Sequence, residues 1–212
     1  MRMPGMDREL SAGLCFNDGT INSSENIQSI DQQDESTVRV LLDDTGRKNC
    51  DELKIIRSSS GTIASAEVQV RADEDNVKFN AQMLFDMQND FFSRQDVYND
   101  TGATHAAGLY DVSGSGIAYA EDVGRHNAMD KCIGKLLIEK RLNEAAYCIL
   151  SSRLSYEMVM KGARAGIAVI AGVSAPTAFA VKLARTRGIT LAGFLRNGRF
   201  NIYSGDWRIN FT

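Results

Sequence analysis

The chain has 212 residues, 43% of them hydrophobic and 24% charged, with a formal net charge of −3. That length buries a core without disulfide or metal staples, and the composition excludes bulk disorder and fibrous classes. The mildly acidic balance excludes the footprint of a general nucleic-acid binder, and no apolar run reaches the ~18 residues of a membrane span. The opening Met1-Arg2-Met3-Pro4-Gly5-Met6-Asp7 has no apolar signal core, so a cytoplasmic protein with no membrane partner is expected.

In chain order, residues 7–14 read as a short helix, and residues 37–42 and 67–71 as alternating strands bounded by Asp- and Gly-rich turns. Between those strands Arg57-Ser58-Ser59-Ser60-Gly61-Thr62 is a small-residue loop. From Phe79 the pattern changes, as Met83, Leu84, Met87 and Phe91 recur at helical spacing up to Ser93. A loop over residues 99–102 leads to His105, and a turn at Gly114-Ser115-Gly116 leads to a strand over 117–120. Glu121-Asp122-Val123-Gly124-Arg125-His126-Asn127 then opens a helix. Its core stripe is Ala128, Met129, Cys132, Ile133, Leu136 and Leu137, with Lys135, Lys140 and Arg141 late in it.

The last third alternates strand and helix. Strands are expected over 146–150, 168–173 and 190–194, and helices over 156–165 and up to 186, capped by Gly166 and Gly188. Arg196-Asn197-Gly198-Arg199 is a tight-turn signal that pairs a strand over 200–203 as a hairpin. This alternation predicts a three-layer α/β domain with a largely parallel sheet over residues 79–212. Residues 1–78 form a smaller, mostly β module ahead of it.

Ligands of open α/β sheets bind beyond the carboxyl ends of the strands. Three strands here exit into Ser151-Ser152-Arg153, Ser174-Ala175-Pro176-Thr177 and Arg196-Asn197-Gly198-Arg199. Two of these loops open helices, whose free amides and positive dipole end suit an anion, and the third adds two guanidinium groups fit for phosphate or guanine. The simpler alternative is that the hydroxyls cap helices and the arginines are solvated. The 121–127 run packs two carboxylates, an Arg, a His and an Asn into one junction. There His126 is either a proton carrier or a neutral hydrogen-bonding strut. Cys15, Cys50, Cys132 and Cys148 are scattered, with no C-x-x-C pair, and the last two read as core residues. With only His105 and His126 as histidines, no zinc-ligand set is evident and none is expected.

Several stretches together resemble the FdhD family of formate dehydrogenase accessory sulfurtransferases. They are Thr101-Gly102-Ala103-Thr104-His105-Ala106-Ala107, Glu121-Asp122-Val123-Gly124-Arg125-His126-Asn127-Ala128-Met129-Asp130-Lys131, Lys161-Gly162-Ala163-Arg164-Ala165-Gly166-Ile167, Val173-Ser174-Ala175-Pro176 and Gly193-Phe194-Leu195-Arg196, with Met1-Arg2-Met3-Pro4-Gly5-Met6-Asp7-Arg8-Glu9-Leu10 at the start. The resemblance covers essentially the whole chain. It implies a cytidine-deaminase-like domain, a homodimer, and a role in maturing molybdenum- or tungsten-dependent formate dehydrogenase, with a non-catalytic cofactor-binding chaperone as the alternative. Sulfur would pass from a cysteine desulfurase to bis-molybdopterin guanine dinucleotide, whose guanine arm GDP mimics. The dehydrogenase's catalytic subunit and the desulfurase are the implied partners. The cofactor-binding stretch falls on Phe194, Leu195, Arg196, Asn197, Gly198 and Arg199. Ser151, Ser152, Ser174, His105, Arg125 and His126 are the further pocket candidates, and Asp122 and Asn127 are expected to shape that pocket.

Two departures stand out. The family's C-x-x-C loop corresponds to Ser60-Gly61-Thr62-Ile63, so Ser60 stands where the persulfide cysteine belongs. A serine cannot carry a persulfide, and its hydroxyl is a poor nucleophile without an activating base. Cys15 and Cys50 are the candidate substitutes; if neither serves, a non-catalytic cofactor carrier remains. Family members also carry strands ahead of the stretch resembling residues 1–10, and a short paralogue or a displaced start fits that difference.

Overall fold

A computed structural model of the chain describes residues 1–43 and 77–210. The predicted strand over 67–71, the loop with Ser60, and Cys50 lie outside the described residues. The first described elements are α1 (Asp7–Asn17) and the antiparallel pair β1 (Ile27–Gln32) and β2 (Val38–Leu42). β2 matches the sequence expectation. β1 was not foreseen, since Ile27-Gln28-Ser29-Ile30 has only a weak alternation.

The main sheet has six strands. These are β4 (His105–Tyr110), β5 (Gly116–Asp122), β6 (Tyr147–Leu150), β7 (Val169–Gly172), β8 (Thr190–Arg196) and β9 (Arg199–Ser204). Their spatial order is β5-β4-β6-β7-β8-β9. The sheet is mixed rather than largely parallel: only β6–β7 and β7–β8 are parallel pairs, the other three being antiparallel. The cause is local. Short turns join β4 to β5 and β8 to β9, and only an antiparallel pair can be closed by a short turn. A short parallel pair lies apart from this sheet, β3 (Phe79–Asn80) with β10 (Ile209–Asn210).

Alternation along the strands divides the core into two sheets of contact, as a period of two requires. Leu109, Ala120, Cys148, Ile170 and Leu191 pack against α1, α4 (Arg125–Ile138), α5 (Tyr156–Arg164) and α6 (Ala178–Thr186). Tyr110, Ile149, Val169 and Ala192 point the other way, onto α2 (Ala81–Ser93), whose Leu84, Met87 and Phe91 are fully buried. Helices on both faces make the expected three-layer α/β architecture. Asn80 starts α2 by accepting from the Met83 amide at 2.9 Å. Gly166 and Gly188 follow α5 and α6 with φ of 74° and 65°, as the sequence anticipates.

α1 lies on α4 with almost no side chain between them. A Cβ on Gly13 would run into the Asp130 carbonyl, and one on Gly134 into the Glu9 carbonyl. Glycine at both places lets the two backbones touch and brings Asn17 against Asp130. Cys132 and Cys148 are fully buried, as predicted. Burial raises both thiol pKa values, that of Cys148 to about 12, so neither is a thiolate near neutrality. Among the described residues no helix is long and apolar enough to cross a membrane.

Candidate functional site

A cleft of about 570 Å³ opens at the carboxyl edge of the sheet. The first residue of β4 contributes His105 to it, the loop after β6 contributes Ser151, and the loop after β7 contributes Val173 and Ser174. The end of β8 adds Phe194 and Arg196. Five of the residues singled out in the sequence therefore share one wall system, although they are scattered over some ninety positions of the chain. A volume of this size lies within the ordinary range of small-molecule sites.

Local chemistry sets each donor. The Ser151 hydroxyl oxygen accepts from the Ala106 amide at 2.8 Å, which leaves its proton to point at a ligand. The Ser174 carbonyl accepts from the Phe194 amide at 3.2 Å and ties the β7 loop to β8. Phe194 has φ of 55°, an uncommon value for a residue with a side chain, where β8 leaves its regular register with β9. The Arg196 guanidinium lies over the Phe194 ring at 5.6 Å, within reach for a cation–π contact. Burial lowers the His105 pKa, and the charges of Arg125 and Arg153 push it the same way, so His105 faces the cleft as a neutral imidazole near pH 7. Among the described residues no carboxylate lines the cleft. Hydroxyls, an imidazole and a guanidinium without a competing anion are a binding set for phosphate or another oxyanion.

The remaining wall comes from residues that sequence reasoning missed. Phe92 and Gln95 at the end of α2, Tyr98 from α3 (Asp96–Thr101), and Ala103 and Thr104 close the cleft opposite β8. The sequence places residues 99–102 in a loop, whereas α3 runs on to Thr101, because six residues carry no readable period. Phe92 offered a signal: it falls outside the stripe of Met83, Leu84, Met87 and Phe91, and it is 39% exposed.

Other predicted site residues lie elsewhere. Leu195 is buried, its carbonyl accepting from the Gln88 amide nitrogen at 2.6 Å. Asn197 and Gly198 make the hairpin turn with φ of 55° and 68°, and Arg199 faces Arg196 across it, exposed and off the cleft. The Ser152 hydroxyl is buried and donates to the Arg153 carbonyl at 3.2 Å.

Arg125 and His126 open α4 beyond the cleft. His126 is 6% exposed, and neither ring nitrogen has a hydrogen-bond partner among the described residues. Burial pushes its pKa down to about 4, helped by the charges of Lys161 and Arg125, which holds the ring neutral. Among the two readings of His126, a hydrogen-bonding strut loses its basis.

The other polar groups of the 121–127 run are used by the fold. The Glu121 carboxylate accepts from the Val97 amide at 3.0 Å, the Tyr98 amide at 2.9 Å and the Thr104 hydroxyl at 2.9 Å. It thereby fixes the α3 wall of the cleft. Asp122 pairs with Lys131 at 2.8 Å and accepts from the Met3 amide at 3.0 Å; Asn127 donates to Asp122 and to the Met1 carbonyl, both at 3.0 Å. Ser60 and Cys50 lie outside the described residues, and Cys15 is half-buried on α1, away from the cleft lining. Among the described residues no three His, Cys, Asp or Glu side chains gather as a metal-ligand set.

The cleft at the carboxyl edge of this sheet, lined by serine hydroxyls, an imidazole and a guanidinium, marks an α/β protein with a polar cavity of ligand size. The chain belongs to the FdhD/NarQ family, whose model matches residues 1–210. A sulfur carrier protein FdhD of Saccharolobus solfataricus is 38% identical over 99% of this chain and 82% of its own length. One from Bordetella parapertussis is 52% identical over 55% of this chain and 42% of its own length. A crystal structure of a putative formate dehydrogenase accessory protein from Desulfotalea psychrophila superposes with a TM-score of 0.82 at 27% identity, covering 99% of this chain and 82% of that one.

Proposed function

We propose that this chain is a cytoplasmic accessory protein of formate dehydrogenase that holds bis-molybdopterin guanine dinucleotide by one guanine-nucleotide arm in the cleft. The observation that carries this reading is the convergence of Ser151, Ser174, His105 and Arg196 on one cavity that no carboxylate among the described residues lines. Arg196 supplies charge to a phosphate, the Ser151 hydroxyl donates to it, and neutral His105 donates or accepts one hydrogen bond without competing for the anion. Family membership supports the dehydrogenase's catalytic subunit as the receiving partner and a cysteine desulfurase as the sulfur source. A homodimer would present two such clefts to the two guanine arms. Titration with GDP tests the binding step: saturable binding is expected, and none at millimolar nucleotide would sink the reading.

A second reading is favoured by one observation, Ser60 and Ile63 in place of the paired cysteines. In it the chain carries and protects the cofactor without relaying sulfur. Incubation with a cysteine desulfurase and cysteine, followed by intact mass, separates the two. A gain of one sulfur on Cys15 or Cys50 keeps the transfer reading. An unchanged mass with GDP binding intact leaves the carrier.

A further inference from the structure

The wall of the cleft opposite Arg196 holds a side chain that the fold leaves unsatisfied. Gln95 is 5% exposed and lines the cleft, and its buried amide nitrogen has no hydrogen-bond partner among the described residues. Buried amides without partners are uncommon and call for a reason. On either side of it in sequence, Phe92 and Tyr98 line the same cleft while remaining 39% and 46% exposed. Two exposed rings beside an unpaired amide form a surface on which a flat heterocycle stacks and is read at its edge. The wall is also held in place before any ligand arrives, because Glu121 accepts from the Val97 and Tyr98 amides.

Resting on the proposed nucleotide site, we infer that Gln95 reads the base: its amide pairs with the lactam edge of a 6-oxopurine stacked on the Phe92–Tyr98 wall. The amide nitrogen donates to the purine O6 and the amide oxygen accepts from N1–H, so both halves of the amide are used. The phosphates then extend toward Arg196 and Ser151 on the far side. The edge read in this way omits the 2-amino group, so guanine and hypoxanthine are bound alike.

The test is calorimetric titration of the full chain with GDP, IDP and inorganic pyrophosphate, for the wild type, Gln95→Met and Gln95→Leu. Thermal melts confirm that each variant folds, and the two shapes guard against failure of either one. GDP and IDP are expected to weaken together by about tenfold or more in both folded variants, with pyrophosphate unchanged. GDP affinity within twofold of wild type in a folded variant overturns the inference. A loss for GDP that IDP does not share overturns the lactam edge, and a parallel loss for pyrophosphate shows a damaged cleft rather than a base reader, which overturns it too. Failure of wild type to bind both GDP and pyrophosphate overturns instead the nucleotide reading on which this one rests.

Discussion

Two polar regions flank the same edge of the sheet, and they differ in where their partners are. Under α4 the charges are matched within the protein: Asp122 with Lys131, and Asp130 with Lys161 at 2.5 Å and Asn17 at 2.6 Å, all buried. In the cleft, the Gln95 amide nitrogen has no hydrogen-bond partner among the described residues, and the Ser151 hydroxyl accepts from the Ala106 amide with its own proton left for a ligand. Both regions are polar, though only the first contains carboxylates among its described residues. Partners supplied by the fold make the first region part of the scaffold, whereas unmet hydrogen-bonding capacity makes the second a place for a ligand.

The largest effect that tests this contrast is expected under α4. Lys161→Met strands the Asp130 carboxylate and should cost about 3–5 kcal/mol in urea unfolding, a typical loss for a broken buried pair. GDP binding by the folded fraction should stay as in wild type. A loss below 1 kcal/mol would mean that water reaches Asp130 and the scaffold reading is wrong.

In the cleft the pattern reverses. Arg196→Ala should weaken GDP about ten- to a hundredfold, the range for a charge-assisted contact, while the unfolding midpoint barely moves. An unchanged affinity would place the phosphates away from β8.

His126 blurs the contrast, since it is buried near α5 yet unpartnered, and pH isolates it. Its folded pKa of about 4 lies below the unfolded value of ~6.5. The unfolded chain therefore gains a proton that the folded chain refuses. The associated stability is whole above pH ~6.5 and falls as the pH drops toward 4, by about tenfold in the folding equilibrium per pH unit. Arg125, Lys161 and Glu157 are the charged groups that act on the ring. His126→Leu should flatten this part of the acid limb and cost little at pH 7, as measured by melts from pH 4 to 8. An acid limb as steep as in wild type would show that the ring takes its proton in the folded state.

The smallest effect concerns the β7 loop, which lines the cleft through Ser174 and opens α6 at Thr177. The Thr177 hydroxyl accepts from the Ala180 amide at 3.2 Å to start α6, and Thr177→Ala should cost about 1 kcal/mol in thermal unfolding. Nucleotide affinity should not change, because Thr177 stands outside the cleft.

Much of this was legible in the sequence where a pattern is local. The helix stripes, the Gly166 and Gly188 ends, the Asn197-Gly198 turn and buried Cys132 and Cys148 all follow from period or turn chemistry. The polar strand exits were legible too, and three of them meet in the cleft. The 121–127 run misled in a specific way. Five polar groups at one junction read as a pocket. Instead Glu121 and Asp122 extend β5, with Glu121 holding α3 and Asp122 and Asn127 bound to residues 1–3. Density of charge along the chain says that partners are needed, not which side of the sheet supplies them.

The sequence by itself determined the alternation of strand and helix, the three-layer class, the position of the polar loops at the strand exits and the absence of a C-x-x-C pair. These rest on neighbours a few residues apart. Only the tertiary structure decided that β4 runs antiparallel to β6, that Gly13 and Gly134 let α1 touch α4, and that Phe92, Gln95 and Tyr98 complete the cleft. Each of those depends on segments distant in the chain meeting across a sheet edge, and whether a buried polar group finds a partner there is fixed by packing, which no local pattern encodes.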